Sequence, residues 1–290
     1  MPKTSKPVIL FVLLTYIISW AFIYPSFQMI LHSKNKDIPP LAFIGLIGQY
    51  GPTIIALVIV TWFYGKSDCK NLLRKYLQWK QPLKWYLFVL LLPVLIRFAA
   101  TLSTSFSGYK NQFAITTESF YMLPVFLLIA LPFGPLGEEL GWRGFLLPEL
   151  LKKNNWVVSS LVTGCVWTVW HLASFTLPGA ALPSVFEVNA FTLFLYFLET
   201  LFKSFILTFV YLKTNGNLIL AILLHASQNA SSNITGSFFT SLEGNASQQK
   251  MIYYLVIIFL GITVAVIYLF NNKKLTTFTH TAEGPFNGKK

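Results

Sequence analysis

Residues 8–24 read VILFVLLTYIISWAFIY, seventeen residues without a charge. A helix that crosses the hydrocarbon core of a bilayer needs about 20 mainly apolar residues, and this stretch extends to one at about 8–31. It is longer than the apolar core of a cleavable leader, and no A-x-A site follows it, so a retained helix is expected. Seven further stretches of similar character occur at about 41–64, 83–105, 120–150, 156–177, 188–212, 218–238 and 251–270. The expected fold is therefore all-α: a polytopic membrane protein of about eight transmembrane helices. Over the whole chain 54% of residues are hydrophobic and 11% charged, against about a quarter charged in ordinary soluble domains. That composition excludes a soluble globular enzyme.

The formal charge is +12, from 22 Lys and Arg against 10 acids, and its distribution explains it. If the N-terminus is cytoplasmic, that side gathers Lys3, Lys6, the run from Lys66 to Lys84, Lys152, Lys153, Lys213 and the tail, fifteen cations in all. The other side gathers Lys34, Lys36, Lys110 and Lys250. The positive-inside rule then places both termini in the cytoplasm, in a multi-pass protein read as one of a prokaryotic cell membrane. Topology accounts for the excess charge, and no nucleic-acid partner is implied; the lipid bilayer is the implied environment. Cys69 and Cys165 follow no metal or disulfide spacing. No repeat or second domain divides residues 1–290, and 271–290 reads as a short polar cytoplasmic tail.

Between Lys66 and Lys84, the residues Leu72, Leu73, Tyr76 and Leu77 fall on one helical face. That face fits a helix lying flat on anionic lipid as well as it fits a solvated basic linker. The fourth stretch contains Pro124, Pro132, Pro135 and Pro148, which predict a kinked helix. N-x-S/T triplets begin at Asn229, Asn233 and Asn245, but two of the three fall within a span and read as chance.

Ionisable groups inside spans are costly, and they mark function or a buried pair. Glu199 and Lys203 stand four apart with the acid first, the favourable order for a helical ion pair. Arg97 has no partner identifiable from sequence. The densest cluster is Gly137-Glu138-Glu139-Leu140-Gly141-Trp142-Arg143-Gly144. At about 100° per residue, Glu139 and Arg143 share a face and are placed to pair, while Glu138 turns about 100° away toward another neighbour. A carboxyl in such a low-dielectric site is suited to general-base work. The flanking glycines let neighbouring helices approach closely. His171 follows Trp167 on the next span, and His225 shares a face with Asn229 on the seventh. Glu, His and His are the elements of a water-activating site, either as ligands of zinc with an open position or as base and oxyanion donors without metal. Asn229 suits oxyanion stabilisation. Counted along their helices, the levels overlap near the middle or cytoplasmic half of the bilayer, which predicts a polar, cytoplasm-facing cavity. The plainer alternative is a helix-bracing polar cluster without catalysis.

Taken together, these residues resemble the CAAX-protease and bacteriocin-processing family of intramembrane proteases, which includes the type II CAAX prenyl endopeptidase. The family pattern is E-E-x-x-x-R, F-x-x-x-H and H-x-x-x-N on successive core helices. Glu138, Glu139 and Arg143 meet the first motif and His225 with Asn229 the third. The second is met at His171, with Trp167 where the family usually has Phe. The likeness covers about 118–240, the expected catalytic core. It implies an endopeptidase acting on a membrane-associated or lipid-modified peptide, such as a CAAX-like, bacteriocin or pheromone precursor. In it Glu138 and His171 would activate water, His225 and Asn229 would stabilise the oxyanion, and Glu139, Arg143 and Trp167 would orient the site or touch substrate. Members are commonly called metalloproteases. If a zinc ion is present, Glu138, His171 and His225 are the candidate ligands, but no H-E-x-x-H motif occurs and the residues do not require one. The alternative from another class is a transporter, or an immunity or regulatory protein, that keeps the polar core. No inverted repeat supports a typical secondary transporter.

Overall fold

Helix starts are written plainly into the sequence. Thr116, Asn155, Asn189 and Asn217 each stand just before an apolar run, and each side chain accepts a backbone N–H three residues on, at 2.9–3.2 Å. Such caps satisfy donors that the first turn leaves unpaired. The computed structural model describes residues 6–32, 39–107, 112–175, 189–241 and 246–270. The tail 271–290, Lys3, Lys34, Lys36, Lys110 and Asn245 lie outside the described residues.

The helices are α1 (Lys6–Leu31), α2 (Gly51–Phe63), α3 (Lys66–Arg74), α4 (Leu83–Ser103), α5 (Thr117–Ala130), α6 (Pro135–Leu151), α7 (Trp156–Trp170), α8 (Ala190–Lys213), α9 (Leu218–Gly236) and α10 (Ala246–Phe270). The all-α reading holds apart from a short antiparallel ribbon, β1 (Gln112–Phe113) with β2 (Phe239–Ser241), which ties the approach to α5 to the end of α9. Every apolar stretch contains helix, but the count of eight crossing helices is not met. Among the described residues four helices are long and apolar enough to cross a membrane, or up to six if each bent pair is one span. Two stretches fall short for physical reasons. α7 has 15 residues, and the second half of α9 is polar from His225 through Asn233.

The fourth stretch is bent as its prolines predict, with α5 and α6 meeting at 41°. The second stretch is also bent, which its composition did not signal. Pro40–Gln49 meets α2 at 51°, because Gly51-Pro52 starts a new helix with proline in its first turn. Outward faces are apolar at helical spacing: Ile9, Leu13 and Ile17 on α1, and Leu87, Leu91 and Leu95 on α4, are all exposed. Faces of this size and regularity belong against lipid.

The apolar face of the loop segment that begins with α3 is divided between protein and the outside. Leu72 is buried and Tyr76 is half-buried, whereas Leu73 and Leu77 are exposed. Tyr76 Oη donates to the carbonyl of Leu136 at 2.7 Å, so the segment is pinned against the start of α6. Burial pushes the Tyr76 phenol up to about 12, so it keeps the proton it donates.

At the centre of the bundle α9 packs against α4 and α5, and α8 packs against α7 and α10. Ser227 Oγ donates to Leu90 O at 2.7 Å, and Trp20 Nε1 to Trp170 O at 2.9 Å. These bonds fix α9 to α4 and α1 to the end of α7. The main cavity is walled by Ile23 and Phe27 late in α1, by His171 just past α7 and by Lys250 early in α10. It therefore lies in the half of the bundle away from the chain termini. Counting residues along separate helices gave depth without showing on which side the cavity opens.

Candidate active site

Gly134 sets the entry to α6, with φ +123° in the break after α5. An L side chain rarely adopts that conformation, and a Cβ there would sit 2.9 Å from Glu138 Oε1 and 3.6 Å from Asn229 Nδ2. Glycine thus lets the chain turn directly beside the two side chains. Downstream, Leu140–Leu146 winds as a π-helix, a form that often accompanies functional positions. Gly141 makes room for α2: a Cβ there would lie 2.5 Å from Pro52 O, which bears out the close approach expected of the glycines.

The two acids of α6 have separate surroundings. Glu138 Oε2 accepts the indole N–H of Trp167 at 2.7 Å and that of Trp142 at 3.3 Å. Glu139 Oε1 takes Arg143 at 3.1 Å and His225 Nδ1 at 2.8 Å. Arg143, fully buried, also donates to Ser204 Oγ at 3.2 Å and stacks on Trp167 at 4.6 Å. Glu139 and Arg143 do not line the cavity. Glu139 holds His225 from outside the lining, and Arg143 holds Glu139.

Both histidines are fixed through Nδ1. His225 Nδ1 meets a carboxylate and His171 Nδ1 meets the carbonyl of Trp167 at 2.9 Å. Each of those oxygens can only accept, so each Nδ1 carries a proton and the chemistry falls to Nε2. Glu138, Trp167, His171, His225 and Asn229 all face one cavity of about 450 Å³. Trp167 stands between the histidines, 5.6 Å from the His171 ring and 5.1 Å from that of His225, in T-shaped contacts. The expected Glu199–Lys203 pair is present, Nζ to Oε1 at 2.7 Å, and it lines the same cavity. Arg97 is there too, stacked over Tyr253 at 4.1 Å.

Sequence reading missed three parts of this arrangement. Gly134-Pro135 is a turn signal that could have marked the break. The link from Glu139 to His225 joins residues 86 apart and has no local signature. Trp167 was expected to orient the site or touch substrate, but not to bond Glu138 through its N–H, a bond that Phe cannot make. Trp167→Phe removes a hydrogen bond to a charged group, worth about 1.5–3 kcal/mol. It is expected to lower turnover about tenfold with His171 still in place, read from kcat on a membrane peptide. Gly134→Ala should lower turnover by about tenfold or more, because it adds backbone strain and crowds Glu138. A thermal melt close to wild type would separate that effect from unfolding.

The zinc alternative can be tested on the donor set. Among the described residues no three His, Cys, Asp or Glu side chains gather as a ligand group, and one oxygen of Glu138 is already taken by two indoles. Glu138, His171 and His225 as placed do not make a zinc site, and no step is derived through a metal.

Comparison with known proteins agrees with the motifs. Residues 120–231 match the family model described as type II CAAX prenyl endopeptidase Rce1-like. The chain is also similar to a Methanococcus maripaludis protein named CAAX prenyl protease 2. The two are 26% identical over 223 residues, 74% of this chain and 80% of the relative. The resemblance drawn from the motifs is borne out, and with it a peptidase in a helical, multi-pass membrane protein.

Proposed function

We propose that the protein is an intramembrane endopeptidase that hydrolyses a peptide bond in a membrane-associated or lipid-modified peptide, using water activated by Glu138 and His171. The observation that carries this reading is the meeting of Glu138, His171, His225 and Asn229, from three parts of the chain, on one cavity. Water held between Glu138 and His171 Nε2 gives its proton to the carboxylate while its oxygen bonds the peptide carbonyl carbon. The resulting oxyanion takes hydrogen bonds from Asn229 Nδ2 and from His225 Nε2. With Nδ1 already protonated, donation from Nε2 needs the imidazolium form, whose charge the Glu139 carboxylate offsets. The proton then passes from Glu138 to the leaving nitrogen as the C–N bond breaks. Walls of lipid and aromatic rings exclude bulk water, which strengthens these dipoles.

The name of the Methanococcus relative makes a prenylated CAAX peptide the first substrate to test, ahead of bacteriocin or pheromone precursors. With purified protein in liposomes and a fluorescent peptide of that kind, His171→Ala and His225→Ala should each abolish cleavage. Wild-type turnover by His171→Ala would contradict the assignment.

A further inference from the structure

Three cations, Arg97 on α4, Lys203 on α8 and Lys250 on α10, line the catalytic cavity, and the hydrolytic scheme uses none of them. Two carboxylates line it with them. Glu138 is held by indoles, which leaves Glu199 as the acid among the three cations, paired with Lys203. The Arg97 guanidinium stacks on Tyr253, and its buried Nε has no hydrogen-bond partner among the described residues. Lys250 Nζ lies 5.8 Å over the Tyr254 ring. A stacked guanidinium keeps its N–H edge for a planar anion, and a buried donor left unpaired is costly. Ring contacts carry the wall from His171 to Tyr196 at 6.0 Å and on to Tyr254 at 6.3 Å. An extended peptide advances about 3.3 Å per residue, so a few residues reach from the water site to these cations. Arg97 and Lys250 both lie outside the segment 120–231 that matches the family model.

We propose that Arg97, Lys203 and Lys250 form a carboxylate subsite that receives the free C-terminal α-carboxylate of the substrate, so that the cut falls a few residues from that end. This rests on the peptidase reading. The test measures binding of a fluorescent prenylated peptide to the full chain carrying Glu138→Gln, which separates binding from turnover. The peptide is made as a free acid, as a C-terminal amide, and as an amide with aspartate at the last position. The free acid should bind about tenfold tighter than the plain amide, as expected for one charge-assisted contact. Arg97→Gln and Lys250→Gln should each shrink that difference, and the acid-to-amide comparison itself needs neither variant to fold. Equal binding of acid and amide would overturn the proposal. Tighter binding of the aspartyl amide than of the free acid would also overturn it, in favour of an acidic side chain. Turnover of the same free acid by the wild-type chain is measured separately. Selective binding without any cleavage would leave the subsite standing and remove the peptidase reading.

Discussion

Glu138→Gln is expected to lower kcat about 100- to 10,000-fold, the contribution of a positioned general base, with little change in stability. The substitution keeps the side chain's shape and its carbonyl oxygen can still accept the indole N–H groups of Trp142 and Trp167. It removes only the ability to take a proton from water. Stability should stay within about 1 kcal/mol of wild type, measured by thermal unfolding in the same detergent used for turnover. A Glu138→Gln protein that cleaves normally would remove the base from the scheme.

Glu139→Ala should fail in a different way. Its carboxylate holds the fully buried Arg143 and the Nδ1 of His225 at one oxygen. Removing it strands a buried guanidinium left with Ser204 and the Trp167 face. Loss of one partner of a buried pair costs about 3–5 kcal/mol. The variant should therefore unfold at markedly lower temperature or denaturant, and what folds should be inactive because His225 has lost its orienting contact. A Glu139→Ala chain as stable as wild type would show that this buried trio does not hold the helices together. The contrast matters because the two acids are neighbours: the proposed scheme needs one for chemistry and the other for the position of the groups that do it.

The separate surroundings of the two acids were legible from residue angles alone. On an α-helix Glu139 and Arg143 share a face and Glu138 does not, and the structure has the pair and the separate surroundings of Glu138. The membrane class was equally plain from uncharged runs such as residues 8–24. The Glu199–Lys203 pair also followed from helical spacing. What spacing could not supply were contacts between distant segments. His225 meeting Glu139, Tyr76 meeting Leu136 and Arg97 meeting Tyr253 depend on how whole helices are rotated against one another, and no local pattern records that rotation. The count of crossing helices was overdrawn for a related reason. A window of apolar residues marks α7 and the first half of α9, yet it does not register where a helix ends, as α7 does before His171, or turns polar to line a cavity. Depth along each helix likewise said nothing of which residues share a wall, and only the assembled bundle brings late α1, His171 and early α10 to one cavity.

The central claim is direct attack by water held on Glu138 and His171, and single-turnover cleavage of the prenylated peptide in water labelled with oxygen-18 tests it most closely. The account predicts one labelled oxygen in the newly formed carboxylate of the cleaved peptide and none in the Glu138 side chain, with no cleavage by the His171→Ala protein. Label appearing in the Glu138 carboxylate would mean that the acid attacks the peptide itself, and the absence of any cleaved product from the wild-type protein would mean that the site does not hydrolyse the peptide at all.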